Sequence, residues 1–354
     1  MKGFRYAMTA TGAPFERFAT EFPDPGINEA LVEVAGCGVC HTDISFWHGG
    51  VKTHHALPLT LGHEISGRVI AGPKEMAGQA VIVPAVISCG QCTLCKTGRS
   101  NVCRAQQMPG NDFDGGFASH ILVPAQQLAV VPDSALELFP LEELAVIADA
   151  ASTPYQALLK SGLSAGDLAI IIGVGGIGVY AAQLARVFGA QIIVLDIDQD
   201  KLDRLSSLGM EHALNTAGME IKAIKKRVRE MALELAAPDY GWKIFEMTGT
   251  TGGQELGYAL LGFAGTLMIV GFTMDKLALR LSNLMAFDAS AIGTWGCRPE
   301  LYPEILKLVV ERKIEITPFT KTFRLSAINE VFRQVLDHQI SRRPVMVPDE
   351  RYTA

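Results

Sequence analysis

The sequence predicts an α/β protein in which a strand-rich unit is joined to a doubly wound parallel sheet. Two observations carry this. Residues 1–152 hold short alternating or β-branched runs (ALVEVAG, SGRVIAG, QAVIVPAV, HILVPAQQLAVVP) punctuated by Pro and Gly, as in an all-β unit. From Thr153 strand and helix signals alternate, which implies parallel strands with helical crossovers on both faces.

In the second unit the helix PYQALLKSG leads to the strand LAIIIGVG, then the helix GIGVYAAQLARVFG and the strand QIIVLDID. KIFEMTG, QELGYALLGFAG and TLMIVGF continue the alternation, and the charged stretch 219–238 reads as a solvated helix. Near Gly293 the pattern turns mixed, ending in the helix AINEVFRQVLDHQ and the short strand PVMVP. We therefore expect a first domain at 1–152, a parallel-sheet domain at 153–294 and a return to the first at 295–354. Two domains suit 354 residues, at about 100–200 residues each.

Composition narrows the function. Hydrophobic residues make up 49% and charged residues 19%, enough for a sizeable core. The net charge is −6 and no basic block occurs, which argues against a nucleic-acid partner. Residues 256–274 carry no charge, but four glycines break them into helix end, turn and buried strand rather than a membrane span. The start MKGFRYAMTATG has no apolar signal core. Four of the seven cysteines crowd within fifteen residues, more like a metal site than a disulfide framework. Both features fit a reducing cytoplasm.

Gly173-Val174-Gly175-Gly176-Ile177-Gly178 matches GxGxxG. It follows a strand and opens a helix, and the next strand ends at Asp196, the context a dinucleotide site requires. Gly173, Gly175, Gly176 and Gly178 allow the tight turn and the approach of a pyrophosphate to the helix N-terminus. Asp196 is placed to accept hydrogen bonds from the adenosine ribose and to repel a 2′-phosphate, so NAD is expected over NADP. Lys201 is a second candidate ribose contact, or an ordinary exposed lysine.

Cys89, Cys92, Cys95 and Cys103 form C-x2-C-x2-C-x7-C. Four thiolates at this spacing can close a tetrahedral Zn²⁺ site with a structural role. Spacing alone also admits an iron–sulfur cluster; the rest of the chain argues for zinc. A second set of another type lies in GVCHTD and GHE. There Cys40 and His63 are candidate ligands of a catalytic zinc, which needs three protein ligands and an open position.

With GVCHTD, LGHE, the four-cysteine lobe, GVGGIG and Asp196 in this order, the chain resembles the zinc-containing medium-chain alcohol dehydrogenases along nearly its whole length. The resemblance implies a GroES-like β-barrel catalytic domain and a Rossmann domain, with the active site between them. It implies NAD and two zinc ions per chain, and a homodimer or homotetramer built partly through the Rossmann sheets. It makes Cys40 and His63 zinc ligands and gives Thr42 the substrate hydroxyl and its proton. Likewise it sets His41 near the cofactor phosphates, Glu64 behind the metal as an exchanging ligand, and Arg343 of RPVMV on the pyrophosphate. Asp43 would orient a ligand from behind.

Two departures stand out. The family's third ligand position, usually a cysteine or an acid, holds Asp149 in ADAASTPY; an oxygen ligand suits zinc, and a helix cap is the plain alternative. Ser45 stands where many members have a histidine that ends a proton relay, which leaves the proton's exit open. In the implied reaction zinc lowers the pKa of the substrate hydroxyl, Thr42 accepts its proton, and the carbinol hydride passes to nicotinamide.

The segment from Ala35 to Gly67, with ADAASTPYQAL, is most similar to the 6-hydroxycyclohex-1-ene-1-carbonyl-CoA dehydrogenases of anaerobic benzoyl-CoA degradation. This implies a cyclic secondary alcohol carried as a CoA thioester and oxidised to the 6-oxo product. Lys52, His54, His55 and Arg298 are candidate phosphate contacts, each equally an ordinary surface residue. A general alcohol or polyol dehydrogenase would use the same core residues. A non-catalytic nucleotide-binding relative is a third reading, against which the intact cysteines and histidine stand.

Overall fold

Proline and glycine cut the first third of the chain into short strands. The structure, a computed structural model, describes residues 1–352. The first segment runs β1 (Lys2–Ala7), β2 (Glu16–Glu21), β3 (Glu29–Gly38), α1 (His41–Trp47), β4 (Glu64–Ala71), β5 (Ala80–Val83), α2 (Thr93–Lys96), β6 (His120–Pro124), β7 (Ala129–Val130) and α3 (Asp133–Leu136). The middle runs α4 (Ser152–Ser161), β8 (Leu168–Ile172), α5 (Gly178–Val187), β9 (Gln191–Asp196), α6 (Gln199–Ser206), β10 (Ala213–Asn215), α7 (Ile221–Glu234), β11 (Lys243–Glu246), α8 (Thr251–Leu260), β12 (Thr266–Ile269), α9 (Ser282–Phe287) and β13 (Ser290–Gly293). The last holds α10 (Tyr302–Val310), β14 (Thr320–Arg324), α11 (Ile328–Leu336) and β15 (Arg343–Val347). Two units result: Met1–Ser152 with Gly296–Ala354, and Thr153–Trp295.

The first unit is built on a sheet ordered β14-β15-β3-β4-β5-β7, with β6 also on β3. All pairs are antiparallel except β14 with β15. The C-terminal strand joins at Val345↔Gly38 and Met346↔Cys37, beside the stretch that leads to Cys40. On α11, Ile328, Val331, Phe332 and Val335 recur at helical spacing and are all buried. Phe332 lies edge-on to Phe15 at 4.6 Å and to Trp47 and Phe117 at 5.6 Å each. Such pairs contribute about 0.5–1.5 kcal/mol each beyond burial. Because Trp47 ends α1, this aromatic hub anchors the helix whose start follows Cys40.

The second unit is a six-stranded, all-parallel sheet in the order β10-β9-β8-β11-β12-β13. Strand order reverses between β8 and β11, where sheets of this kind bind nucleotides at the strands' carboxyl ends. β8 reads LAIII without alternation because every residue is buried, as expected with helices on both faces. At the far edge β13 is mostly exposed. Residues 256–274 divide into α8, a turn and β12. Among the described residues no helix is long and apolar enough to cross a membrane.

Candidate active site and metal sites

Cys40, His63 and Asp149 come from three places in the first unit. Cys40 precedes α1, and its backbone N–H donates to Asp43 Oδ2 at 2.9 Å. His63 precedes β4. Gly62 before it has φ +98°, and a Cβ there would sit 2.6 Å from Cys37 Sγ, so the turn that presents His63 requires glycine. Asp149 follows a short 3-10 helix, Glu143–Ala148, whose last five residues are fully buried.

The three side chains converge. Asp149 Oδ2 lies 3.7 Å from Cys40 Sγ and 3.7 Å from His63 Nε2. Zinc bonds of 2.0–2.3 Å at tetrahedral angles put ligand atoms about 3.3–3.8 Å apart. Thiol, imidazole and carboxylate are zinc donors, so the set fits the metal by type and by spacing. Thr42 Oγ1 is 3.7 Å from Cys40 Sγ. Behind His63, Nδ1 faces the fully buried Asp43 at 3.4 Å, while Asp43 Oδ1 also accepts the Gly62 N–H at 3.0 Å. Burial works against protonating His63, but the nearby Asp43 and Asp149 carboxylates outweigh it and hold its pKa well above the ordinary value.

Glu64 belongs to the same cluster, its carboxylate within 4.8 Å of the other donor atoms. It has a further partner that the sequence reading lacked. Arg343 donates Nε to Glu64 Oε2 at 3.0 Å and Nη2 to Oε1, and both residues are buried. Burial pushes the Glu64 pKa up, against the lowering effect of Arg343. The carboxylate expected as an exchanging ligand and the guanidinium expected on a pyrophosphate are thus held by each other. They are 279 residues apart, and no local pattern joins them.

Cys89, Cys92, Cys95 and Cys103 form a second cluster. Their sulfurs lie 3.4 Å (89–103), 3.5 Å (92–95), 3.7 Å (92–103) and 3.9 Å (89–95) apart, and no disulfide forms. Four Zn–S bonds of 2.3 Å would space sulfurs about 3.8 Å apart. Backbone N–H groups of Cys89 and Ala105 point at Cys103 Sγ at 3.5 and 3.4 Å, the donors a thiolate needs. The Cys95 N–H is the main cause that lowers Cys92 to about 6, whereas burial takes Cys103 up to about 11.

In the second unit Gly173, Gly175, Gly176 and Gly178 lie between β8 and α5, at the strand-order reversal. Gly173 has φ +84°, and a Cβ there would collide with Thr248 after β11. Asp196 ends β9 and accepts the Val174 N–H at 2.7 Å and the Asp198 N–H at 3.0 Å, so it also braces the glycine loop. Lys201 Nζ is 3.5 Å from Asp198 and 4.0 Å from Asp196.

The remaining candidates scatter. His41 is exposed, its ring stacked on His338 at 6.4 Å. Ser45 donates its hydroxyl to the His41 carbonyl at 2.9 Å. His54 is 76% exposed and bound to Asp112 at 2.8 Å, His55 Nδ1 sits 2.6 Å from the Ala56 carbonyl, and Lys52 is exposed. Arg298 donates to the Gly98 carbonyl at 3.2 Å, which ties it to the cysteine lobe.

A glycine loop at the switch point of a parallel sheet, in one chain with a thiolate–imidazole–carboxylate set, is the equipment of a metal-assisted dehydrogenase. The family profile described as "Alcohol dehydrogenase GroES-like domain" matches residues 26–133, and "Zinc-binding dehydrogenase" matches 176–311. An alcohol dehydrogenase of Geobacillus stearothermophilus is 32% identical over 90% of this chain and 91% of its own length. The L-galactonate-5-dehydrogenase of Escherichia coli is 27% identical over 83% and 84%. The solved alcohol dehydrogenase of Aeropyrum pernix superposes with TM-score 0.85 at 27% identity, covering 98% of this chain and all of that one. The chain belongs to the zinc-containing medium-chain alcohol dehydrogenases. It is an oxidoreductase acting on CH–OH groups, with a GroES-like domain and a Rossmann domain.

Proposed function

We propose that this enzyme oxidises a secondary alcohol to a ketone with zinc and NAD. The observation that carries the reading is the convergence of Cys40, His63 and Asp149 at zinc-ligand spacing, in a chain whose Rossmann sheet carries the glycine loop and Asp196. Cys40, His63 and Asp149 would hold the catalytic zinc and the four cysteines a structural one. When bound, the catalytic ion supplies Lewis acidity toward the substrate oxygen. Asp43 orients His63 and fixes the backbone at Cys40 and Gly62. Thr42, beside Cys40, receives the hydroxyl proton. Ser45, where many family members have a histidine, donates its hydroxyl to the His41 carbonyl and supplies no titratable group to a relay. Asp196 favours NAD, with Lys201 a further ribose contact and His41 a phosphate contact. Arg343, whose Nε and Nη2 lie on Glu64, is a pyrophosphate contact only by the family resemblance of RPVMV.

Within this chemistry we propose a cyclic secondary alcohol on a CoA thioester, 6-hydroxycyclohex-1-ene-1-carbonyl-CoA, as substrate. Its support is the similarity of residues 35–67 and ADAASTPYQAL to enzymes of that reaction. A polyol is the second reading, favoured by the L-galactonate and sorbitol dehydrogenases among the relatives. An NADH-absorbance screen of this thioester against cyclohexanol, ethanol and polyols decides. Binding energy of the CoA arm should raise kcat/KM for the thioester well above the free alcohols. Equal or better turnover of ethanol or a polyol rejects the CoA reading. We further propose a homodimer or homotetramer joined through β13, whose exposed outer edge can pair with the same strand of a second copy about a two-fold axis. Exposed Leu281 and Met285 lie just before that strand. Sedimentation of the zinc-loaded protein as a monomer would refute this.

A further inference from the structure

Asp149 differs from its partners in how it is held. Cys40 and His63 adjoin a helix and a strand of the sheet, whereas Asp149 sits in an irregular link between the 3-10 helix 143–148 and α4, with φ −142° and ψ −55°. Its carboxylate is the less buried partner of the His63 pair, 13% exposed against 2%. Something other than regular structure must fix it.

The residue before it is anchored from far along the chain. The Ala148 carbonyl accepts the Tyr302 hydroxyl at 2.5 Å and the Ser152 hydroxyl at 3.1 Å. Tyr302 opens α10 and is wholly buried. Its oxygen also accepts the Ala85 N–H at 3.4 Å and lies 3.4 Å from Ser152 Oγ. One phenol oxygen therefore ties together the end of the 3-10 helix, the segment after β5 and the start of α4. Burying a hydroxyl is costly unless it is partnered, and here two of its three partners, on Ala148 and Ser152, flank the Asp149 link. Burial also pushes the Tyr302 pKa well above its ordinary value, so the hydroxyl stays a donor.

We infer that Tyr302 is a positioning residue for the catalytic metal set: by donating to the Ala148 carbonyl, with Ser152 in support, it holds the Asp149 carboxylate at the distance from Cys40 and His63 that a metal ion needs. This rests on the reading of Asp149 as a ligand. The Asp149 side chain hangs one peptide unit from that carbonyl, so a rotation of the link swings the carboxylate away while the helix and the strand beside Cys40 and His63 stay in place.

The test uses full-length protein with Co²⁺ in the catalytic site and Zn²⁺ in the four-cysteine site. Tyr302→Phe keeps the ring and removes the bond. The expected result is a changed visible d–d spectrum, Co²⁺ affinity of the catalytic site lowered about 10–100-fold, as for partners that orient ligands, and an unchanged four-cysteine site. kcat should fall while KM for the cofactor holds. Ser152→Ala should move the same spectrum less, and it carries the test if Tyr302→Phe does not fold. Asp149→Asn separates the two ideas. If it leaves the cobalt spectrum unchanged, the ligand reading fails and this inference with it. If Asp149→Asn shifts the spectrum while Tyr302→Phe and Ser152→Ala only lower the melting temperature, Tyr302 is merely structural and the inference is overturned.

Discussion

The four-cysteine lobe and the Cys40–His63–Asp149 set answer the same demand in opposite ways. The lobe gathers four identical donors from residues 89–103, around a helix of four residues, and three of the four are only partly buried. The other set draws unlike donors from positions up to 109 residues apart and is buried except for the edge of Asp149. Charge explains the contrast. Four thiolates and Zn²⁺ leave a formal −2, which suits a site near solvent with N–H groups aimed at sulfur. One thiolate, one carboxylate and a neutral imidazole with Zn²⁺ sum to zero, which suits a buried site. A local motif can close an ion into a brace. An open, neutral, buried set has to be positioned by the scaffold.

Replacing one donor on each side breaks the comparison hardest. Cys40→Ser should lower kcat/KM by well over the roughly 100-fold bound for partners that orient ligands, with the four-cysteine zinc retained and an unchanged circular dichroism spectrum. Cys95→Ser should instead cost soluble, folded protein, because structural zinc binding contributes folding free energy. Zinc analysis with thermal melts of both variants distinguishes the outcomes. The same loss in both would erase the distinction between brace and reactive site.

The next effect sharpens what burial demands. Arg343→Ala leaves Glu64 as an unpaired buried charge and should destabilise the first unit by about 3–5 kcal/mol in urea unfolding. Glu64→Gln combined with Arg343→Met should recover most of that. If the single variant unfolds at the wild-type midpoint, the pair is not buried in solution. Asp43→Asn should lower catalytic-site metal affinity about 10–100-fold and leave the lobe alone, read by competition with a chelator. The smallest effect is in the second unit. Asp196→Ala should narrow the NAD over NADP ratio of kcat/KM and weaken both cofactors, since the Val174 N–H loses its acceptor. An unchanged ratio would show that Asp196 only braces the loop.

Much of this was legible because it is local or periodic. The unbroken LAIII, the glycine loop and the cysteine spacing each need no partner from elsewhere in the chain. Asp149 was placed through family position, since nothing in ADAASTPY marks a ligand by itself. Other features stayed hidden for physical reasons. The β1–β2 hairpin alternates charged and apolar residues weakly, with β2 largely exposed, so its pattern is faint. The Glu64–Arg343 pair spans 279 residues and the Tyr302–Ala148 bond 154. Contacts of that range arise from topology, and an isolated Arg or Tyr gives no sign of them.

The crossing of β15 back onto β3 has a consequence for synthesis. The Rossmann unit is one uninterrupted stretch, Thr153–Trp295, whose strands all leave the ribosome before residue 296. The unit that carries the candidate metal sites cannot complete its sheet until residues 343–347 emerge, and the guanidinium that pairs with Glu64 comes with them. A nascent chain therefore displays a finished nucleotide fold while its catalytic half still waits for its last strand.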